Sequence, residues 1–322
     1  MRAIRQHEFG PAEVLRLEEV PDPEPGPGEI RIAVEAAGVH LLDTAIRAGT
    51  GFGAMPPPAL PMTPGREVAG VVDRVGPGVE AAWLGRRVVA HLGPASGGYA
   101  ELAVVAAARA YELPDTLDAV TAVAAIGTGR TAMGILDLAA IQPTDVVAVT
   151  SAAGGLGVLL LQGARNADAR AIALAGGEEK LAVAARFGAT SGIDYRAPDW
   201  PARLADEPPL TLVLDGVGGE VGRVLYDRLV PGGRLVRYGW SSGEENRYDD
   251  PQRPVVEVLG PSIMDRLAEL EQRSLAAAAA GTMVPYVGSI FPLAEAAAAH
   301  RAIETRASIG KVVLVTTTGV SR

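Results

Sequence analysis

Two patterns of apolar residues divide this chain. Over residues 1–120 the apolar runs are short. Ile30-Arg31-Ile32-Ala33-Val34-Glu35-Ala36 alternates with period two, as a half-buried strand does, and follows the Pro/Gly-rich segment PDPEPGPGE. Val68–Val72 and Arg87–Ala90 predict further strands, divided by Gly76-Pro77-Gly78. The stretch Gly49–Pro64, rich in Gly, Pro and Met, predicts an irregular loop. From about residue 120, alanine-rich stretches of helical length alternate with short apolar runs, the pattern of a parallel sheet with crossover helices. Strands are predicted at Val146–Val149, Ala169–Leu174, Gly192–Tyr195, Leu210–Asp215, Gly232–Gly239 and Lys311–Val315. Helices are predicted at Glu178–Phe187, Met264–Ala280 and Leu293–Glu304.

Val146–Gly157 (VVAVTSAAGGLG) carries the most chemistry. A continuously apolar β-type run, suited to a strand covered on both faces, leads into Ala152-Ala153-Gly154-Gly155-Leu156-Gly157 and then a helix from Val158. Ala152, Gly154 and Gly157 keep the dinucleotide fingerprint spacing, with alanine for the first glycine. Such glycines let backbone approach a pyrophosphate, and the helix start offers free N–H groups and a positive dipole end.

Composition narrows the classes. The 322 residues allow two domains, and 48% are apolar. A net charge of −9 argues against general nucleic-acid binding and offers no basic face to an anionic membrane. The absence of cysteine excludes disulfides, thiolate zinc sites and a cysteine nucleophile. MRAIRQHEFG lacks the apolar core of a signal peptide, and the charge-free run Val146–Ala164 is broken by Gly154, Gly155 and Gly157. A cytoplasmic protein with no membrane and no nucleic-acid partner is expected.

After the second strand of a dinucleotide fold, an acidic residue normally holds the NAD ribose. Here Ala175-Gly176-Gly177 puts no acid at the tip, and Glu178 and Glu179 suit the dipole of the next helix. A small uncharged tip leaves room for a 2′-phosphate, with Lys180 and Tyr195 to bind it. The alternative is that Lys180 is a solvated helix residue and Tyr195 a packing residue. The balance favours NADP(H). Asp215-Gly216-Val217-Gly218-Gly219 and Gly239-Trp240-Ser241-Ser242-Gly243 follow the fourth and fifth strands, where glycines either make turns or admit the nicotinamide ribose.

With AGVHLLDTAIRAG at 37–49, PGREVAGVVDRVGPGV at 64–79, AAGGLG, DGVGG, YGWSSG and AHRAIETRASIGKVVL at 299–314, nearly the whole chain resembles the zinc-free quinone oxidoreductase (ζ-crystallin-like) branch of the medium-chain dehydrogenase/reductase superfamily. The resemblance implies an α/β fold: a Rossmann doubly wound parallel sheet at 121–260, and a GroES-like, mostly β catalytic domain at 1–120 completed by 261–322. The active site would lie in the cleft between them, and the molecule would be a homodimer through a sheet edge. It implies NADPH held by Thr131, Ala153, Gly154, Gly155, Leu156, Gly157, Gly176, Lys180, Tyr195, Val217, Gly239, Trp240, Ser241 and Arg306. The implied substrate is a quinone or enone. Two other readings stay open, an enoyl-thioester reductase and a non-catalytic NADPH-binding protein of the crystallin kind.

Zinc is tested by residue identity. The alcohol dehydrogenase branch holds its catalytic metal with a cysteine, a histidine and a further cysteine or acid. Here position 40 is His40, the histidine of the GHE signature is Arg66, and His40 with Glu67 makes a poor site, so no metal is expected. Residues 91–100 run from strand to strand without a cysteine-rich lobe. His40, in place of an asparagine common in the branch, is either a hydrogen-bond donor to substrate or cofactor, or a pocket wall. The catalytic residues are unknown, with His40 and Asp43 as pocket candidates. Asp43 and Arg47 are expected to pair and fix their loop. His7, His91 and His300 are expected at the surface or in packing.

Overall fold

The computed structural model describes residues 1–50, 57–93, 96–258 and 260–316. Part of the predicted Gly49–Pro64 loop, and positions 94–95 of the 91–100 run, lie outside the described residues. The chain forms two compact units, Met1–Gly127 with Leu275–Arg322, and Thr128–Ser274. Both junctions fall later in the chain than the expected 120 and 260.

In the first unit, β1 (Arg2–Gln6) pairs with β2 (Leu15–Glu19). Then follow β3 (Glu29–Val39), α1 (Leu41–Ala48), β4 (Glu67–Val75), β5 (Arg87–His91), β6 (Leu102–Ala106), β7 (Ala110–Glu112) and α2 (Ala119–Ala124). The second unit holds α3 (Arg130–Ala139), β8 (Val146–Val149), α4 (Gly155–Asn166), β9 (Arg170–Ala175), α5 (Glu178–Arg186), β10 (Ser191–Asp194), α6 (Trp200–Ala205), β11 (Leu210–Asp215), α7 (Gly219–Asp227), β12 (Leu229–Arg237), β13 (Val255–Glu257) and α8 (Pro261–Met264). After α9 (Leu267–Ala279), the chain ends in β14 (Val287–Pro292), α10 (Ala296–Glu304) and β15 (Lys311–Val315).

The first unit's main sheet runs β14-β15-β3-β4-β5-β7, with β6 also on β3. Strand β3 is its spine and is antiparallel to both β15 and β4. The end of β3 therefore meets the starts of β4 and β15, and this fixes where the residues at those ends converge. Ile30, Ile32 and Val34 alternate into one core with Val68, Val88 and Tyr99; Ala36 and Ala69 face another with Val123 and Ile126. The helical run 119–139 is long and apolar enough to cross a membrane, but 72% of its window is buried within the fold. A π-helical turn interrupts it at Ala125–Gly129.

The second unit's sheet is parallel throughout, in the order β10-β9-β8-β11-β12-β13. Strands β9 and β10 lie on one side of β8 and β11–β13 on the other. The carboxyl ends of β8 and β11 thus flank the topological switch point, where such sheets bind ligands. Strand β12 starts earlier than predicted, since Pro231-Gly232-Gly233 is accommodated as a register shift against β11. The helix predicted over 264–280 is α9, which starts at Leu267 after the short α8. The helix predicted from Leu293 opens with a 3-10 turn after Pro292.

Candidate functional site

In the second unit, the turn after β8 is tight. Ser151 takes a positive φ of 49°, Gly154 N–H donates to the Ser151 carbonyl at 2.8 Å, and Ala152 N–H donates to Leu174 O of β9 at 3.1 Å. Gly154 is extended and α4 begins at Gly155, earlier than Val158. A side chain on Gly157 would overlap the Ser151 carbonyl and the Ala152 backbone, so the helix can approach the turn only with glycine there. Among the described residues no acceptor meets the N–H groups of Gly155, Leu156 and Gly157. Ala153 is buried, while Gly154, Gly155 and Leu156 are partly open. A helix start with unbonded N–H groups at the switch point is suited to an anion.

The tip after β9 stands beside it. Gly177 caps α5, and Lys180 lies in its first turn, half-buried. A Cβ built on Gly176 would sit 3.4 Å from Tyr195 Oη and 3.1 Å from Arg196 Nε. Tyr195 packs against the apolar core and brings its hydroxyl to the tip. Arg196 was not anticipated from the sequence. Its guanidinium lies over Gly177 and pairs with Asp194 through Nε–Oδ1 and Nη2–Oδ2, each 3.2 Å, and its side chain remains 61% exposed. Hydrogen bonds from Arg196, acting against slight desolvation, hold the Asp194 carboxyl below its ordinary range. The signal was its place next to Tyr195 at a strand end.

At the carboxyl ends of β11 and β12, Ser241 N–H donates to Gly216 O at 3.0 Å and Ser242 N–H to Val217 O at 2.9 Å. Val217, Gly239, Trp240 and Ser241 are thereby brought together. Asp215 holds this turn by accepting from Val217 N–H at 2.9 Å and Thr150 Oγ1 at 3.1 Å, and burial pushes its carboxyl up. Thr131 is the second residue of α3 in this unit. Arg306 belongs to the first unit, exposed after α10 with φ 57°.

In the first unit, the antiparallel ends gather His40, Glu67 and Lys311. His40 Nε2 lies 2.7 Å from Glu67 Oε1 and 2.9 Å from Lys311 Nζ, and Lys311 Nζ donates to Glu67 Oε2 at 3.1 Å. Glu67 is fully buried and Lys311 nearly so, whereas His40 is 22% exposed. Burial pushes the Glu67 carboxyl up, but the His40 and Lys311 charges outweigh it and hold it well below the usual carboxylate range. Its Oε1 rests on the backbone of Gly127 in the π turn, where any side chain would overlap it. Lys311 went unnoticed in the sequence. A lysine opening the apolar strand KVVLV was the available signal.

A second network fixes α1. The Asp43 carboxylate accepts the His40 N–H at 2.8 Å and the Tyr99 hydroxyl at 3.2 Å. Tyr99 Oη lies 3.2 Å from His300 Nε2, and His300 Nδ1 lies 3.4 Å from Arg47 Nη1. Arginine can only donate, so His300 carries its proton on Nε2 and donates to Tyr99, which donates to Asp43. Burial lowers His300 to about 4, keeping it neutral. Arg47 bonds Glu304 at 2.5 Å and the Gly10 carbonyl at 3.0 Å. Asp43 and Arg47 thus do not pair with each other, because Tyr99 and His300 stand between them. His300 belongs to this network and not to plain packing. His91 is buried and accepts from Gly93 N–H, and His7 is exposed beside Glu18.

Two family models match the chain: "Alcohol dehydrogenase GroES-like domain" over residues 26–115 and "Zinc-binding dehydrogenase" over 187–314. A 2-haloacrylate reductase from a Burkholderia species is 33% identical, covering 98% of each chain. A quinone oxidoreductase of Rattus norvegicus is 32% identical, again over 98% of each. The crystal structure of Escherichia coli quinone oxidoreductase complexed with NADPH superposes with a TM-score of 0.85 at 29% identity, covering 98% of this chain and all of the other. The parallel sheet with its glycine turn, the GroES-like unit and these full-length matches lead to one conclusion: the chain belongs to the quinone oxidoreductase branch of the medium-chain dehydrogenase/reductase superfamily.

Proposed function

We propose that this protein is an NADPH-dependent oxidoreductase that reduces a quinone or an α,β-unsaturated carbonyl compound without zinc. The observation that carries the reading is the anion cradle at the switch point, with open N–H groups at Gly155–Gly157 and a tip formed by Lys180, Tyr195 and Arg196. The first suits a pyrophosphate; the second suits a 2′-phosphate, which an acidic tip would repel. NADPH, when bound, supplies the hydride, and the NADPH complex of the E. coli relative supports its choice.

The chain's own residues orient and stabilise. The turn 215–217 with 239–241 forms a backbone shelf at the sheet edge, suited to the nicotinamide ribose. In the first unit, His40 is the polar group of the buried cluster that solvent reaches, and Asp43 fixes its backbone. Zinc independence is supported by the donor set. The two groups of metal-ligand type, His40 and Glu67, touch each other and are both engaged by the Lys311 ammonium, and the would-be histidine is Arg66. Among the described residues no group of three ligand side chains forms.

The test follows NADPH consumption with a benzoquinone and a simple enone, before and after dialysis against a chelator, with metal content measured on the same sample. Turnover that survives dialysis, with negligible zinc, is expected. Tight NADPH binding without turnover of either class would replace the reading with the non-catalytic one. Activity lost on dialysis and restored by zinc would overturn zinc independence.

A further inference from the structure

Asp215 closes β11 and is 1% exposed, yet among the described residues it forms no ion pair. Hydrogen bonds alone meet its carboxylate. Thr150 Oγ1 donates at 3.1 Å and Val217 N–H at 2.9 Å to Oδ1, and Gly218 N–H lies 3.2 Å from each oxygen. Its Oδ2 rests against Gly222 of α7, where any side chain would overlap it. Thr150, fully buried, follows β8. The pairing of β8 with β11 stops at Val149 and Leu214, and beyond that point Thr150 carries the connection. Its N–H donates to Leu214 O at 3.1 Å, and its Oγ1 accepts from Gly216 N–H at 2.9 Å while donating to Asp215. Its carbonyl accepts the Tyr238 hydroxyl at 3.2 Å. Tyr238 N–H donates to Asp215 O at 2.8 Å, and the Tyr238 ring lies against Gly216.

A buried carboxylate without a counter-ion is costly, and apolar residues of similar volume hold strands together without desolvating a charge. What Thr150 and Asp215 do that apolar side chains cannot is fix the backbone N–H groups of Gly216, Val217 and Gly218. The carbonyls of Gly216 and Val217 are left to pair with Ser241 and Ser242. On the other side, Thr150 leads directly into Ser151, whose carbonyl closes the glycine turn. We propose that Thr150 and Asp215 are positioning residues that tie the glycine turn after β8 to the shelf of 215–217 with 239–241. The pyrophosphate and the nicotinamide ribose of one nucleotide then meet surfaces set at a fixed separation. This rests on the nucleotide reading above and adds to it a part that neither turn supplies alone.

The physical reason is preorganisation. A ligand held at two places gains fully from the second only where the spacing of the two is set before it binds, since ordering a loose site offsets part of the contact. Side chains locked by buried hydrogen bonds set such a spacing. Breaking the link should therefore weaken a ligand that spans both turns and spare one that stops at the first.

The test uses two ligands. NADPH spans both turns, whereas 2′,5′-ADP carries the 2′-phosphate and a 5′-phosphate and has no nicotinamide ribose. Both are titrated by calorimetry into wild type, Thr150→Val and Thr150→Ser. Thr150→Val keeps the shape and deletes the hydroxyl that bonds Asp215 and Gly216. It should weaken NADPH about 10-fold, the scale of one net hydrogen bond, and leave 2′,5′-ADP within about 2-fold. Thr150→Ser, which restores the hydroxyl, should recover NADPH binding. Equal losses for the two ligands would reduce Thr150 to a support of the glycine turn or of the fold, and no loss for either would remove the link; both overturn the proposal. If Thr150→Val does not fold, Tyr238→Phe deletes only the hydroxyl on the Thr150 carbonyl, and the same comparison should show a loss of about 3-fold confined to NADPH. A wild type that binds neither ligand sinks the nucleotide reading and the link with it. A wild type that binds both, with variants that bind them equally well, sinks the link alone.

Discussion

Lys311→Met keeps most of the side-chain volume and deletes the charge that lies 3.1 Å from the fully buried Glu67 carboxylate. At an effective dielectric of about 20 the lost attraction is about 5 kcal/mol, though desolvating the lysine offsets part of it. The carboxyl has an escape, since it can take a proton. From its ordinary value of 4.5 to about pH 7 that costs about 2.5 × 1.36, or about 3 kcal/mol. This sets the expected loss, roughly 6–12 °C in Tm for a unit of this size. The pH dependence is the signature. In wild type Glu67 is held low, so its contribution is present above 4.5 and fades as pH falls through the depressed folded value. In Lys311→Met the folded carboxyl lies higher than in wild type, so the part of the stability that Lys311 adds shrinks as pH falls. The gap between the two proteins should therefore narrow in acid, and Glu67→Gln combined with Lys311→Met should recover much of the loss. Thermal melts at several pH values measure it. A shift under about 2 °C, or one independent of pH, would refute the ion-cluster argument.

Two further outcomes follow from the same geometry. His300, lowered to about 4 from an ordinary 6.5, leaves the unfolded chain binding a proton that the fold does not. Stability should then fall by up to about 3 kcal/mol as pH drops from 6.5 to about 4 and level off below, a slope that His300→Gln flattens in urea titrations. Gly157→Val forces a side chain into the Ser151 carbonyl and should abolish nucleotide binding in an equilibrium titration, whereas the exposed Arg203→Ala should leave it intact.

Much of the second unit was legible in the sequence because its signals are local. A continuous apolar run, a glycine turn and a helix occupy adjacent residues, and Val146–Val149 and Leu210–Asp215 fall where their patterns placed them. What escaped was long-range. Lys311 meets Glu67 and His40 only because β3 is antiparallel to both β4 and β15, a pairing no window of sequence contains. Tyr99 and His300 are likewise 201 residues apart. Arg196 escaped differently. It is next to a chosen residue, but only the strand end shows that its guanidinium turns back over Gly177.

The account stands or falls on the nucleotide. NADPH and NADH should be titrated by fluorescence into wild type, Lys180→Ala and Arg196→Ala. Wild type is predicted to bind NADPH at least about 10-fold more tightly than NADH, one charge-assisted contact or more, and each substitution to erode that preference. If neither nucleotide binds, or NADH binds as tightly as NADPH and the substitutions change nothing, the cradle and tip have been misread and the proposed activity falls with them.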